Sequence, residues 1–452
     1  MTSEQTAQPR ERWFAPHALL PTGYAADVSL EVADGRFAAV TPNSTRPTGS
    51  RLLPGLALPG LADTHSHAFH RALRGTTHVG DAAGSRREAT CALAGRLDPE
   101  NYYALARAVF AEKLLAGITT VGEFHYVHND PDGRPYSYPN AMGAALLRAA
   151  EDAGLRMTLL DTLYLSGGLT KERHVRLAQQ EVRFADGSLD DWARRVSRRP
   201  ETERTRIGLG IHSVRAVPRN ALLGIREVAT SSRLARARGE QLVVHAHVSG
   251  QPDENAACQA YYGCTPMELL RDAGLVNRHF TAVHGTHLSG SDVDLLGKAG
   301  ASVAFCPTSR HDLREGLGSV RALLDAGARV SLGTDHHVVV DPFEEVRGLA
   351  MHERMAGRDL GPSELAAAVT AHASLGWSDV GALRPGHRAD VVVVDTASPR
   401  TAGTEPAQVW WAATNADVVD VAVDGRFVVE DRRHVMGDVG AALGSAVAAV
   451  RG

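Results

Sequence analysis

Between about residues 58 and 380 the chain repeats one unit: a helix-like segment, often closed by an Ala-Gly pair, then a short apolar run ending in polar residues. The pairs Ala116-Gly117, Ala153-Gly154, Ala299-Gly300 and Ala326-Gly327 suit helix ends, because glycine takes the left-handed conformation that closes a helix. Eight apolar runs fit the pattern: LALPGLADTHSH, GITTVGEFHYVH, LRMTLLDTLY, RIGLGIHSVRAV, QLVVHAHVSG, FTAVHGTHL, ASVAFCPTSR and ARVSLGTDHH. Near-continuous apolar strands alternating with helices predict an α/β fold, a parallel (β/α)8 barrel over residues 58–380. The flanks change period. Residues 1–57 and 381–452 show short strands with turn signals, VSLEVADGRFAAV at one end and ADVVVVD with VAVDGRFVVED at the other. Both flanks carry an Asp-Gly-Arg-Phe turn, so the two chain ends are expected to meet in a small β-sandwich beside the barrel. The stretch GAALGSAVAAV reads as a closing helix.

Composition adds exclusions. The 452 residues are 44% hydrophobic and 22% charged, with a formal net charge of -4. No Lys/Arg run is interleaved with aromatics, so no nucleic-acid partner is expected. Cys91, Cys258, Cys264 and Cys306 are too few and too irregular for a disulfide framework or a structural zinc module, which points to a reducing compartment. The opening MTSEQTAQPRERW has no apolar segment to serve as a signal peptide, and no apolar stretch reaches the roughly 18 residues of a membrane helix. A cytoplasmic protein without membrane contact is the expectation.

Candidate chemistry lies where the runs end. The C-terminal ends of barrel strands form the active-site face, and His65, His67, His125, His128, His212, His245, His247, His284, His287, His336 and His337 all fall at or near such ends. Taken singly, His125, His128, His245 and His287 read as hydrogen-bonded structural residues; the set as a whole reads as a site. His65 and His67 are two apart on one strand, so both rings project to the same side and can grip one ion. With His247 after strand five and Asp335 after strand eight they make a mixed N/O site with room for water, the open arrangement of a catalytic zinc. One Zn2+ per chain is expected, with another divalent transition metal as the alternative. Asp335 would accept a proton from the attacking water and His284 would stabilise the developing oxyanion.

These residues are similar to the amidohydrolase superfamily: H-x-H on strand one, His on strands five and six, Asp on strand eight, and the ending LRPGHRADVVVVD. HSHAFHRALRG, EFHYVHND, HSVRAV, HAHVSGQP, VHGTHL and LGTDHH resemble, in order and spacing, the blocks of its formimidoylglutamate deiminase family. That resemblance implies hydrolysis of the formimino group of N-formimidoyl-L-glutamate with release of ammonia, in a homodimer. It implies His65, His67, His247 and Asp335 as zinc ligands and His284 as the catalytic histidine. Arg87, Tyr126, His212 and Arg215 match its substrate-contacting positions. Arginine presents a planar fork to a carboxylate, so Arg87 and Arg215 suit a small carboxylate-bearing, amino-acid-like substrate.

Four positions depart from the family pattern. Gly250 stands where the family has a proton-shuttling glutamate, His70 where it has glutamine, His336 where it has serine, and Arg310 where the strand-seven loop usually reads glutamate. General acid-base groups contribute about 10²- to 10⁴-fold in rate, so an unassisted site would be slow. His70 or His336 is expected to replace the shuttle, and Gly250 to open space beside the metal for the substrate. The alternatives are a paralogue rebuilt for another substrate or a non-hydrolytic reaction, and a zinc-retaining pseudoenzyme that only binds a small acid.

Overall fold

The computed structural model describes residues 10–76 and 82–452, without the side chains of 82–85. The polar opening, residues 1–9, lies outside the described residues. Eight parallel strands, Leu61–Ser66, Ile118–His125, Arg156–Leu163, Thr205–Ile211, Val244–Val248, Phe280–His284, Ser302–Phe305 and Arg329–Leu332, pair in chain order as a TIM-type barrel. They are numbered one to eight below. Strands one, two and three are buried at every position, which is why they read as unbroken apolar runs.

The seam between strands eight and one is closed beyond the ends of both. Ser66 bridges Asp335, with Asp335 N–H donating to the His65 carbonyl at 2.9 Å and His67 N–H to that of Asp335 at 3.3 Å. Closing the barrel thus fixes three candidate ligands relative to one another. Gly154 and Gly327 end their helices at φ of 86° and 94°, each just before a barrel strand.

Both chain ends enter one nine-stranded mixed sheet, so the expected sandwich is a single hydrogen-bonded sheet. It has its own core of Trp13, Leu30, Phe37, Val391 and Ala422. The run LALPGLADTHSH is divided between the two sheets. Leu56–Pro59 pairs with Glu11–Leu20 and Val391–Val394 in the terminal sheet, and the barrel strand starts at Leu61. The two Asp-Gly-Arg-Phe turns are two-residue hairpins, with Asp34 and Gly35 at φ of 50° and 72°, and Asp424 and Gly425 at 48° and 76°. They meet through Ala389, whose N–H donates to the Gly35 carbonyl at 2.8 Å and whose carbonyl accepts from Gly425 at 2.9 Å. The last helix, Val439–Arg451, packs on Pro99–Leu115, and its Arg451 Nε donates to the Ala72 carbonyl at 2.7 Å, beneath the turn that follows strand one. No helix among the described residues is long and apolar enough to cross a membrane.

Candidate active site

Strand one carries His65, with His67 just beyond its end; strand five carries His247, strand six His284, and the turn after strand eight Asp335. Their side chains converge. His65 Nε2 lies 3.1 Å from His247 Nε2 and 3.5 Å from Asp335 Oδ1, and His67 Nε2 is also 3.5 Å from that oxygen. Two of these rings are oriented from behind: His67 Nδ1–H donates to the Phe124 carbonyl and His247 Nδ1–H to the His212 carbonyl, each at 2.9 Å. Those bonds fix the tautomers and leave both Nε2 lone pairs aimed inward, the arrangement of metal-binding histidine.

Asp335 is 1% exposed, yet neither carboxylate oxygen has a hydrogen-bond partner. An uncompensated buried charge costs several kcal/mol, and facing lone pairs repel, so the residues present fit a cation among them. The ligating atoms of His65, His67 and Asp335 lie within 4.8 Å of one another, as do those of His65, His247 and His284, and those of His70, Asp335 and His336. Burial drives His67 and His247 well below the ordinary imidazole range, keeping them in the neutral, ligating form. Burial pushes Asp335 up, but the His336, His65 and His284 rings outweigh it and hold the carboxyl well below its usual range. Ser249, His284, Asp335 and His337 adopt φ of 52°, 73°, 42° and 55°, so backbone strain gathers at the ends of strands five, six and eight.

A polar layer that sequence reasoning missed holds the strand ends. Lys113 Nζ pairs with buried Asp63 and donates to Thr334 Oγ1 at 2.9 Å, while Thr334 Oγ1 donates to Asp63 at 2.7 Å. Glu123, pushed up to about 7 by burial, accepts from Ser66 Oγ at 2.7 Å and from Ala68 N–H at 2.6 Å. Asp63 stands two residues before the first histidine, which was its one visible signal.

Above the cluster lies a cavity of about 480 Å³ lined by His67, His70, Arg87, Tyr126, His212, Arg215, His247, His284, Asp335 and His336. His65 is fully buried beneath it. The two expected anchors differ. Arg87 is half exposed, pairs with buried Glu181 and donates to the Gly167 carbonyl at 2.9 Å. Arg215 keeps a buried Nε with no partner, and its carbonyl is fixed by Ser166 Oγ at 2.9 Å. His212 falls to about 3 through burial and then the charges of Arg215 and Arg87. Tyr126 Oη lies 3.1 Å from His70 Nε2.

Gly250 does not line this cavity. A β-carbon there would lie 3.3 Å from His284 Cδ2, so the His284 ring fills the room that the missing side chain was expected to open. His336 accepts from Arg86 Nε at Nδ1 (2.8 Å), which puts the hydrogen of the neutral ring on Nε2, 3.4 Å from Asp335 Oδ2. Its Nδ1 is thereby engaged as an acceptor, while Nε2 stands beside Asp335 without a hydrogen bond to it. His70 stacks on it at 4.6 Å and 10°. Arg310 is buried outside the cavity, with its guanidinium on the His284 and Leu317 carbonyls. The structural reading of the remaining histidines holds for His128 and His245, whose Nε2 atoms donate to the Thr162 and Ser374 carbonyls at 2.9 Å. His125 is buried with neither ring nitrogen partnered, and His287 leaves Nε2 unpartnered. Glu181, Glu254 and Glu315 were not foreseen, since they come from helices and loops between the strands.

Residues 56–428 match the amidohydrolase family, and residues 13–52 match the N-terminal domain of formimidoylglutamate deiminase HutF. The formimidoylglutamate deiminase of Pseudomonas aeruginosa is 33% identical over 443 residues, covering 93% of this chain and 95% of that protein. The crystal structure of an amidohydrolase from Brucella melitensis superposes with a TM-score of 0.87 at 27% identity, over 98% of this chain and all (100%) of that one. An adenosine deaminase from Xanthomonas campestris, solved with bound zinc, shares the fold with a TM-score of 0.80 at 22% identity, over 98% of this chain and 100% of that one. The matched span takes in the whole barrel, its closing seam and much of the terminal sheet: the chain belongs to the amidohydrolase family.

Proposed function

We propose that this protein is a zinc-dependent hydrolase that releases ammonia from an amidine-type carbon of a small, carboxylate-bearing substrate such as N-formimidoyl-L-glutamate. Its relatives are enzymes acting on C–N bonds. The observation that carries the reading is Asp335, a buried carboxylate with two unpartnered oxygens facing inward-aimed imidazoles. His65, His67, His247 and Asp335 would hold the ion. Zinc suits three imidazoles and one carboxylate, and when bound supplies Lewis acidity and water activation near neutral pH.

The remaining chemistry falls to the chain. Asp335 accepts a proton from the attacking water, and His284 faces the developing charge. Arg215, which lines the cavity, takes a substrate carboxylate. Glu181 already neutralises Arg87, which makes Arg87 the weaker anchor. A substrate other than formimidoylglutamate is the second reading, favoured by the missing acid at Gly250 and by the two cavity glutamates, Glu181 and Glu254. The test is ammonia release from N-formimidoyl-L-glutamate by zinc-loaded protein, with and without a chelator. Chelator-sensitive turnover supports the reading; fully zinc-loaded protein that releases no ammonia from it refutes that substrate.

A further inference from the structure

Position 250, in the corner after strand five, has no carboxylate, and the residue beside it reaches for one on another loop. Gln251, next to Gly250, donates from Nε2 to Glu315 Oε1 at 3.3 Å. Glu315 belongs to the loop after strand seven, follows the helix Pro307–Leu313, and is 6% exposed. Its other oxygen, Oε2, has no hydrogen-bond partner and lies 3.7 Å from His284 Nδ1, which has none either. Two orphaned, complementary atoms thus face each other in a buried site. Arg310 does not intervene, because its Nη groups are directed at the carbonyls of Leu317 and His284. His284 has a strained φ of 73° and turns Nδ1 towards this loop. Burial pushes the Glu315 carboxyl up to about 7, with the Asp335 charge adding to the rise and Arg310 and the Gln251 hydrogen bond opposing it.

We propose that Glu315 is the positioning carboxylate of His284, doing from the strand-seven loop what no residue at position 250 can do. The inference rests on the hydrolase reading above. Closing Oε2 onto Nδ1–H requires a shift of about 0.8 Å to reach an ordinary hydrogen bond. With Nδ1 donating to Glu315, the lone pair is left on Nε2. As the water oxygen bonds to the substrate carbon, its first proton goes to Asp335 and on to the imino nitrogen, which becomes an amine. The second proton, from the hydroxyl so formed, passes to His284 Nε2, and the Glu315 carboxylate stabilises the imidazolium. That proton then passes from Nε2 to the amine nitrogen as the C=O bond forms and the C–N bond breaks, so ammonia departs and His284 returns to neutral. His284 acts on the reacting atoms; Glu315 acts through His284.

The experiment is ¹⁵N NMR of the histidine rings in zinc-loaded protein without substrate, with His284→Asn identifying the His284 signals. His284 should carry its hydrogen on Nδ1 in the wild type and should lose that single tautomer in Glu315→Gln. In parallel, Glu315→Gln should lower kcat for ammonia release from N-formimidoyl-L-glutamate by about 10²- to 10⁴-fold, with KM changed less than about threefold. Glu315→Asp should recover part of the loss, and so should Gly250→Glu in the Glu315→Gln background, by restoring a carboxylate from strand five. A wild-type His284 protonated on Nε2 alone, or an unchanged ring pattern in Glu315→Gln, overturns the proposal. Because the tautomer is read without substrate, it decides the role of Glu315 even if formimidoylglutamate is not turned over.

Discussion

Arg215→Met tests the substrate anchor most directly. The change removes the guanidinium and keeps much of the aliphatic stem, so packing loss is small. Arg215 Nε is buried in the cavity wall without a partner, and Ser166 Oγ and His174 Nδ1 hold its backbone carbonyl at 2.9 and 3.1 Å. The anchor is therefore organised before substrate arrives. A hydrogen bond to a charged group contributes about 1.5 to 3 kcal/mol, and about 1.4 kcal/mol is tenfold, which predicts a loss of about 10- to 150-fold in kcat/KM. Glu254, buried beside Arg215, offsets part of its charge and favours the lower end. The loss should appear in KM, because the anchor is equally engaged in ground and transition states. The assay is steady-state ammonia release from N-formimidoyl-L-glutamate and from the analogues with either carboxylate replaced by a carboxamide. For one carboxamide, wild type and Arg215→Met should differ little. An equal loss on the diacid and on both carboxamides would refute the anchoring role, as would no loss at all.

The metal centre and the buried acids give further expectations. His247→Ala removes an Nε2 that lies 3.1 Å from that of His65, so elemental analysis should fall from about one zinc per chain to well below it; undiminished zinc would exclude His247 as a ligand. Glu345 is buried, accepts from Thr308 N–H at 3.0 Å, and is pushed up to about 8 by burial. From about pH 4.5 to 8 its folded form keeps a proton that the unfolded chain releases, so its contribution to stability falls as pH rises, by at most about 1.4 kcal/mol per pH unit. Glu345→Gln should cancel that slope, and urea unfolding should show its stability relative to wild type growing from pH 5 to 8; a difference independent of pH would refute the assignment.

How much could be seen in advance follows from where each residue sits. Strands buried on both faces need apolar residues at every position, so all eight barrel strands stood out, and polar residues at their ends stood out against them. That is why His65, His67, His247, His284 and Asp335 were legible. The boundary before strand one was not, because Leu56–Pro59 and Leu61–Ser66 are equally buried and read as one run across two sheets. The break is Gly60, where a β-carbon would run into Thr119, a contact across the sheet that no local pattern encodes. Lys113 looks like any helical lysine, yet it is fully buried against Asp63. Glu181, Glu254 and Glu315 point inward only because of how their helices and loops pack, and charge patterning along the chain does not carry that information.

The departures from the family pattern look scattered along the chain but are gathered in space. Gly250 leaves room for the His284 ring, and Arg310 holds the His284 carbonyl from behind. Glu315 stands at its Nδ1 and is tied by Gln251 to the corner beside Gly250. His336 is fixed at Nδ1 by Arg86, and His70 is stacked upon it. A glutamate at 250 would crowd the very ring that Glu315 now faces, so the two positions offer alternative places for one carboxylate around one histidine. This explains how the four candidate ligands persist while the acid beside them is gone. The ligands are fixed by the barrel seam and by backbone carbonyls, whereas the acid has only to reach His284 and can do so from more than one loop.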